Sequence, residues 1–277
     1  MLKKRKPTSS GTRHQVNTDR SDLYKGEPEK RLLAKGHKKR QGRGFKGHIT
    51  MRHRGGGVKK RLRIIDWKRS KRDLPGRVER VEYDPMRSAN VALIIYPDGE
   101  KCYMISPDKL EINDQVVAGE KVEVKVGNAM PLKNVPVGIP IHNLEMTPGK
   151  GAQIVRGAGT AAYVQSKEGK YASILLPSKE LRLINLKCYA TIGQIGNQDW
   201  KNRKLGKAGR KRLMGIRPTV RGTAQHPGSH PHGGGEGRSG VGMKYPKSPW
   251  GKHALGKKTR GKRKSNKFIV RDRRVKI

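Results

Sequence analysis

The stretch Asn90-Val91-Ala92-Leu93-Ile94-Ile95-Tyr96-Pro97-Asp98-Gly99-Glu100-Lys101-Cys102-Tyr103-Met104-Ile105-Ser106 reads as two strands and a tight reversal. Residues 90–96 and 101–106 are rich in β-branched, aromatic and long apolar side chains. Between them, Pro97 fixes φ and Gly99 tolerates positive φ, which suits a hairpin tip. Working outward, Val81 and Tyr83 alternate with polar neighbours, and Val122, Val124 and Val126 alternate with Glu and Lys up to Gly127-Asn128. The second pattern predicts a half-buried strand, and together these elements make a first small barrel of about five strands. Beyond Pro131, short strand candidates recur at 139–146, 153–155, 162–166, 170–176, 180–185 and 188–192, with Lys167-Glu168-Gly169 as another hairpin tip. They predict a second small barrel. No amphipathic stretch reaches the length of an average helix, although 198–214 predicts a short one, so the expected class is all-β.

Charge divides the chain around that core. Residues 1–60 carry 19 basic and 4 acidic side chains, 61–74 carry 6 and 2, 75–200 carry 15 and 14, and 201–277 carry 24 and 2, for a formal total of +42. The near-neutral middle has the apolar content for a core. The flanks are Gly-, Lys- and Arg-rich and poor in aromatics, so they bury too little apolar surface to order alone, and self-repulsion extends them unless a polyanion neutralises them. The expected division is a basic N-terminal extension at 1–74, a first barrel at 75–129, a second at 130–200 and a basic Gly/His-rich extension at 201–277. The expected partner is nucleic acid.

Several other classes are disfavoured. Cys102 and Cys188 lie far apart without a CxxC partner, which excludes a zinc ribbon and suits a reducing cytosol. The basic start at 1–7 has no apolar stretch behind it, and no apolar run approaches the ~20 residues of a membrane span, so neither export nor a membrane is expected. Residues 251–258 resemble a Walker loop until Lys258 stands where a magnesium-binding hydroxyl is required. Gly149-Lys150-Gly151 and Gly157-Ala158-Gly159 lack the following helix of a dinucleotide site and are read as turns that bring backbone close to a phosphate.

The densest chemistry lies in His226-Pro227-Gly228-Ser229-His230-Pro231-His232-Gly233-Gly234-Gly235-Glu236-Gly237-Arg238. Three imidazoles and a carboxylate could ligate zinc or move protons. Pro227 and Pro231, however, exclude a helix that would align His226 with His230, so the favoured reading is close packing on folded RNA. In Gly42-Arg43-Gly44-Phe45-Lys46-Gly47-His48-Ile49-Thr50-Met51-Arg52-His53-Arg54-Gly55-Gly56-Gly57, basic and aromatic groups interleave with glycines as threading between RNA helices requires.

Six strings then carry a family resemblance in order along the chain: 47–57, 92–101, 148–153, 167–172, 190–197 and 230–238. Together they resemble the bacterial form of the universal L2 family of large-subunit ribosomal proteins. The resemblance implies an OB-fold barrel followed by an SH3-like barrel, with tails penetrating large-subunit ribosomal RNA. It also implies roles in subunit association, transfer RNA binding and support of the peptidyl transferase region. Arg87 in Tyr83-Asp84-Pro85-Met86-Arg87 and Arg156 in Gln153-Ile154-Val155-Arg156 match family positions associated with RNA contact.

The expected RNA-binding set is Arg43, Arg52, His53, Arg54, Gly55, Gly56, Gly57 and Arg61 in the first arm, and Arg87, Lys150 and Arg156 in the core. In the second arm it is Arg203, Lys204, Lys207, Arg210, Arg217, Arg221, His230, His232, Gly233, Gly234, Gly235, Arg238, Lys257, Lys258 and Arg260. Expected partners are ribosomal RNA, other ribosomal proteins, the small subunit across the interface and the vicinity of transfer RNA, in the cytoplasm. No cofactor or protein-held metal is expected, since magnesium would belong to the RNA. The chain is expected not to be an enzyme. The competing reading is direct acid–base participation in peptidyl transfer by His230, His232 and Glu236. Where the family carries Asn-Pro-Val-Asp, this chain has His226-Pro227-Gly228-Ser229, which removes a carboxylate that could orient His230 and weakens that alternative. Val58 replaces a usual histidine, and the segment around Arg43-Gly44 also departs from the family pattern. A nonspecific nucleic-acid compactor would need the charge but not the two barrels.

Overall fold

The structure is a computed structural model that describes residues 2–35, 39–261 and 263–275, so Met1 of the basic start lies outside it. The chain forms two compact units, one from Met1–Lys38, Lys59–Ala208 and Lys267–Ile277, the other from Lys39–Val58 and Gly209–Asn266. In the first, β1 (Leu2–Lys4) pairs antiparallel with β2 (Val16–Thr18) around the helical turn α1 (Ser10–Arg13).

The first barrel is built on β3 (Gly76–Glu82), β4 (Val91–Ile95), β5 (Lys101–Ile105) and β6 (Gln115–Val116), in the antiparallel order β5-β4-β3-β6. The hairpin runs in the register Val91↔Ile105 to Ile95↔Lys101, and the Gly99 amide closes its tip on the Tyr96 carbonyl at 2.9 Å, with φ +78° at Gly99. Ala92 and Ile94 face Val78, Tyr96, Met104 and Val116, while Val91 and Leu93 face Ile65 and Tyr103. The central strand is thus buried on both sides. Its second face is covered by the first arm: Ile65 bridges Tyr103, the Asp66 amide donates to the Tyr103 carbonyl at 2.9 Å, and Leu32 and Trp67 pack alongside. Self-repulsion therefore does not keep that part of the arm extended, because its few large apolar residues are spent on one strand face. Beneath it, buried Glu82 accepts from Arg63 at 3.0 Å, Arg80 at 2.9 Å and the Tyr103 hydroxyl at 2.9 Å, so its charge is fully partnered.

The second barrel uses β7 (Ala129–Pro131), β8 (Pro140–His142), β9 (Leu144–Glu145), β10 (Ala152–Ile154), β11 (Ala162–Glu168), β12 (Tyr171–Leu175), β13 (Leu181–Asn185) and β14 (Tyr189–Ile192). Its seven-stranded sheet is ordered β15-β13-β12-β11-β8-β14-β7, where β15 (Ile269–Arg271) comes from the far end of the chain. Met130, Leu132, Val135, Ile141, Leu144, Val164, Ile174, Ile184, Cys188 and Ile192 fill the interior. Both cysteines are free, and burial pushes the Cys188 thiol up to about 12. The core is all-β, an OB-fold barrel followed by an SH3-like barrel.

Three local expectations are corrected. Residues 122–126 form no strand, so the first sheet has four strands rather than about five; Val124 and Val126 are 40% and 39% exposed. Asn128 is the reason: its side chain accepts from the Val117 amide at 2.8 Å and donates to the Glu123 carbonyl at 3.0 Å. The Lys125 amide turns back onto that same carbonyl at 2.8 Å, which removes the acceptor a ladder would use. The helix expected across 198–214 is split into a 3-10 turn, Gln198–Asn202, and α2 (Ala208–Leu213) by Gly206 at φ +82°. The arms also contribute elements, β15 among them, that period-two patterning did not reveal. Among the described residues no helix is long and apolar enough to cross a membrane.

Candidate nucleic-acid interface

Trp67 is the centre of the best-organised basic site. Its strand-like approach is fixed by the Asp66 bond to Tyr103 on one side and by the Ala152 amide donating to the Trp67 carbonyl at 2.8 Å on the other. The Arg87 guanidinium lies 5.4 Å from the indole centroid and that of Arg156 lies 4.5 Å from it. Arg87 is oriented by an ion pair with fully buried Asp84, whose other oxygen accepts from the Met86 amide at 2.7 Å. Arg156 donates to the Ala152 carbonyl at 3.3 Å and remains exposed. One arginine from the first barrel and one from the second thus converge on a single aromatic ring, each with donors left to meet a phosphate or a base. Both arginines were named as candidates on the family resemblance, whereas Trp67 was not named. The signal available was a lone tryptophan placed where a basic arm joins an apolar strand.

Gly149-Lys150-Gly151 corrects the phosphate-turn reading. The Gly149 and Gly151 amides donate to buried Glu145 at 3.3 and 2.8 Å, and the Tyr189 amide adds a third bond at 3.0 Å. An internal carboxylate takes the place proposed for a phosphate, although the Lys150 side chain itself is exposed. Elsewhere in this unit Arg61 is exposed, Arg203 stacks on Trp200 at 3.9 Å, Lys204 pairs by its backbone with Val16 at 2.9 Å, and exposed Lys207 borders Gly11.

In the second unit the two arms are built against one another. Arg54 bridges Ile216, the Gly55 amide donates to the Gly215 carbonyl at 2.9 Å, and the His53 ring is 3.0 Å from the Pro218 carbonyl. Gly57 sits at φ +59°, and a Cβ there would lie 2.6 Å from the Leu213 carbonyl oxygen. The first triple glycine therefore admits protein backbone, and the same holds for Gly233, whose added Cβ would meet the Gln225 and His226 carbonyls at 2.5 and 2.6 Å. Gly234 and Gly235 are exposed at positive φ. Arg43 closes a loop with Ile49, Arg210 lies on α2, and Arg221 precedes a 3-10 turn. Arg260 donates to Asn266 at 3.0 Å, and Arg52, Arg217, Arg238, Lys257 and Lys258 are exposed.

The three histidines each receive a backbone N–H on a ring nitrogen. His226 Nδ1 accepts from Gly228 at 3.1 Å, His230 Nδ1 from His232 at 3.0 Å, and His232 Nε2 from Lys247 at 2.8 Å. His230 is 7% exposed and its ring lies against Gly222, while Glu236 is exposed with no bond to any of the three rings. The segment is held as a succession of turns, and among the described residues no group of three or more His, Cys, Asp or Glu side chains is placed to hold a metal ion.

Comparison with known families gives two matches in chain order. Residues 29–118 match the model described as Ribosomal Proteins L2, RNA binding N-terminal domain, and residues 125–251 match Ribosomal Proteins L2, C-terminal domain. The first begins where the arm folds onto β4, and the second runs through the histidine segment.

Proposed function

Because this chain belongs to the ribosomal protein L2 family and is a structural, RNA-binding constituent of the ribosome, we propose that its core docks large-subunit ribosomal RNA at the Arg87–Trp67–Arg156 site. The observation that carries this reading is the convergence of two guanidiniums on one indole, at 5.4 and 4.5 Å. A phosphate can bridge the exposed Arg156 donors and the donors that Arg87 keeps beside its Asp84 ion pair, while the ring limits approach to one orientation. The basic arms, already folded on the core and on one another, then bind along RNA as counterions leave, which makes their affinity salt-dependent. Barrels at 75–129 and 130–200, flanked by extensions, are the working division.

In this account the chain is no enzyme. It supports subunit association, transfer RNA binding and the peptidyl transferase region by shape, in the cytoplasm, beside other ribosomal proteins and facing the small subunit, with magnesium held by RNA. The amide bonds to His226, His230 and His232 favour packing over proton transfer, because each already fixes one ring nitrogen as an acceptor. The test is binding of the full chain to large-subunit RNA fragments and to duplex DNA across a salt series. Arg87→Ala and Arg156→Ala are each expected to lose RNA preference and to reduce the salt slope by about one. An unchanged preference in both variants would overturn the site. His230→Gln is expected to alter assembly of the subunit and leave the peptidyl transfer rate of assembled particles unchanged.

A further inference from the structure

The second unit leaves two large aromatic side chains in water on small closed loops. Phe45 is 88% exposed and Trp250 is 73% exposed. Neither lies on a floppy stretch. The first loop is closed by the Arg43↔Ile49 bridge, with the Gly44 amide donating to the His48 carbonyl at 2.8 Å and the Thr50 and Met51 amides both donating to the Gly42 carbonyl at 2.9 and 3.0 Å. Lys46 and Gly47, at φ +61° and +75°, turn the chain directly after the ring. The second loop is closed by the Lys247↔His253 bridge, with Ser248 donating to Lys252 at 2.7 Å and Gly251, at φ +74°, donating to Ser248 at 2.9 Å. Its base is braced by the Tyr245 and His253 rings, 3.7 Å apart, and by the Lys247 amide on His232.

Both tips are set in wholly cationic sequence, since no Asp or Glu occurs between Glu29 and Asp66 or between Glu236 and Asp272. An exposed ring on a preorganised loop with only positive charge around it matches a flat, π-faced group carried on a polyanion, and an unpaired nucleobase is that group. A paired base fits less well, because its faces are already stacked and opening them costs free energy. We propose that Phe45 and Trp250 are two base-stacking tips, each receiving one unpaired nucleobase of RNA. This rests on the RNA-binding reading above and adds to it where bases, rather than phosphates, are held.

The experiment uses the full chain with an unstructured oligoadenylate and with a fully paired RNA hairpin of equal phosphate count, each over a salt series. Phe45→Ala and Trp250→Ala are each expected to weaken oligoadenylate binding about tenfold at every salt concentration, with an unchanged salt slope and little change on the hairpin. Phe45→Trp and Trp250→Phe are expected to retain binding, and the tryptophan fluorescence lost on adding the oligoadenylate is expected to shrink in Trp250→Phe. Equal losses on both RNAs would overturn the proposal. So would full retention by Phe45→Leu, the result expected of an apolar plug for a protein pocket. If the unchanged chain bound neither RNA, both this proposal and the RNA-binding reading beneath it would fall; if it bound both and the alanine variants matched it, only the proposal would.

Discussion

His142 carries no exposed surface; its Nδ1–H donates to the Gly193 carbonyl at 2.8 Å, and burial lowers its pKa to about 4. The unfolded chain takes up this proton below about pH 6.5 and the folded chain only below about 4. Stability is therefore full above about pH 6.5 and falls as pH drops toward 4, by on the order of 3 kcal/mol. Denaturant midpoints of the full chain at neutral and mildly acidic pH test this, and His142→Gln is expected to flatten the difference. Glu145 makes the opposite kind of demand, since a buried carboxylate here serves three amides from two segments, the 149–151 turn and the strand at Tyr189. Glu145→Ala is expected to cost about 3 kcal/mol, read as a lower unfolding midpoint, by leaving those donors unpaired. A residue-scale reading of the sequence located neither group, because a lone His or Glu inside a strand pattern gives no sign of what will face it.

At the scale of elements, hairpins were legible and edges were not. The pairing of β4 with β5 follows from the apolar, β-branched runs on either side of Pro97-Asp98-Gly99, and β11 with β12 follows from Gly169. The second cover on β4 was not legible, since Leu32 and Ile65 sit in stretches too basic to suggest a core. The strand expected at 122–126 has the correct period, yet Asn128 captures the carbonyl that pairing would need. This contrast is testable by substitution. Val124→Lys is expected to shift stability by less than about 0.5 kcal/mol, whereas Ile94→Ala, in the fully buried strand, is expected to cost about 2–4 kcal/mol, both read from chemical unfolding. Strand β15 could not be read from pattern because three residues, Ile269–Arg271, carry too little periodicity to announce a partner nearly 90 positions away.

For the whole molecule, a formal charge of +42 opposes compaction. Raising ionic strength is expected to raise the melting temperature of the free chain while weakening its hold on RNA, and the two trends, followed on one preparation, separate self-repulsion from recognition. The RNA-facing character of the chain was legible from that charge and from the Gly/His strings. The convergence of Arg87 and Arg156 on Trp67 was not, because it depends on how the two barrels adjoin. The second unit has a further consequence, for synthesis. Its first strip, Lys39–Val58, is made long before Gly209–Asn266, to which it is bonded. At ~5–20 residues per second, the early strip waits roughly eight to thirty seconds before its complement begins to be made. Nascent chains stalled short of residue 209 are expected to be cut by trypsin within 39–58, and released full-length chains to resist, which would make the birth order of the two strips a window in which something else must shield the first.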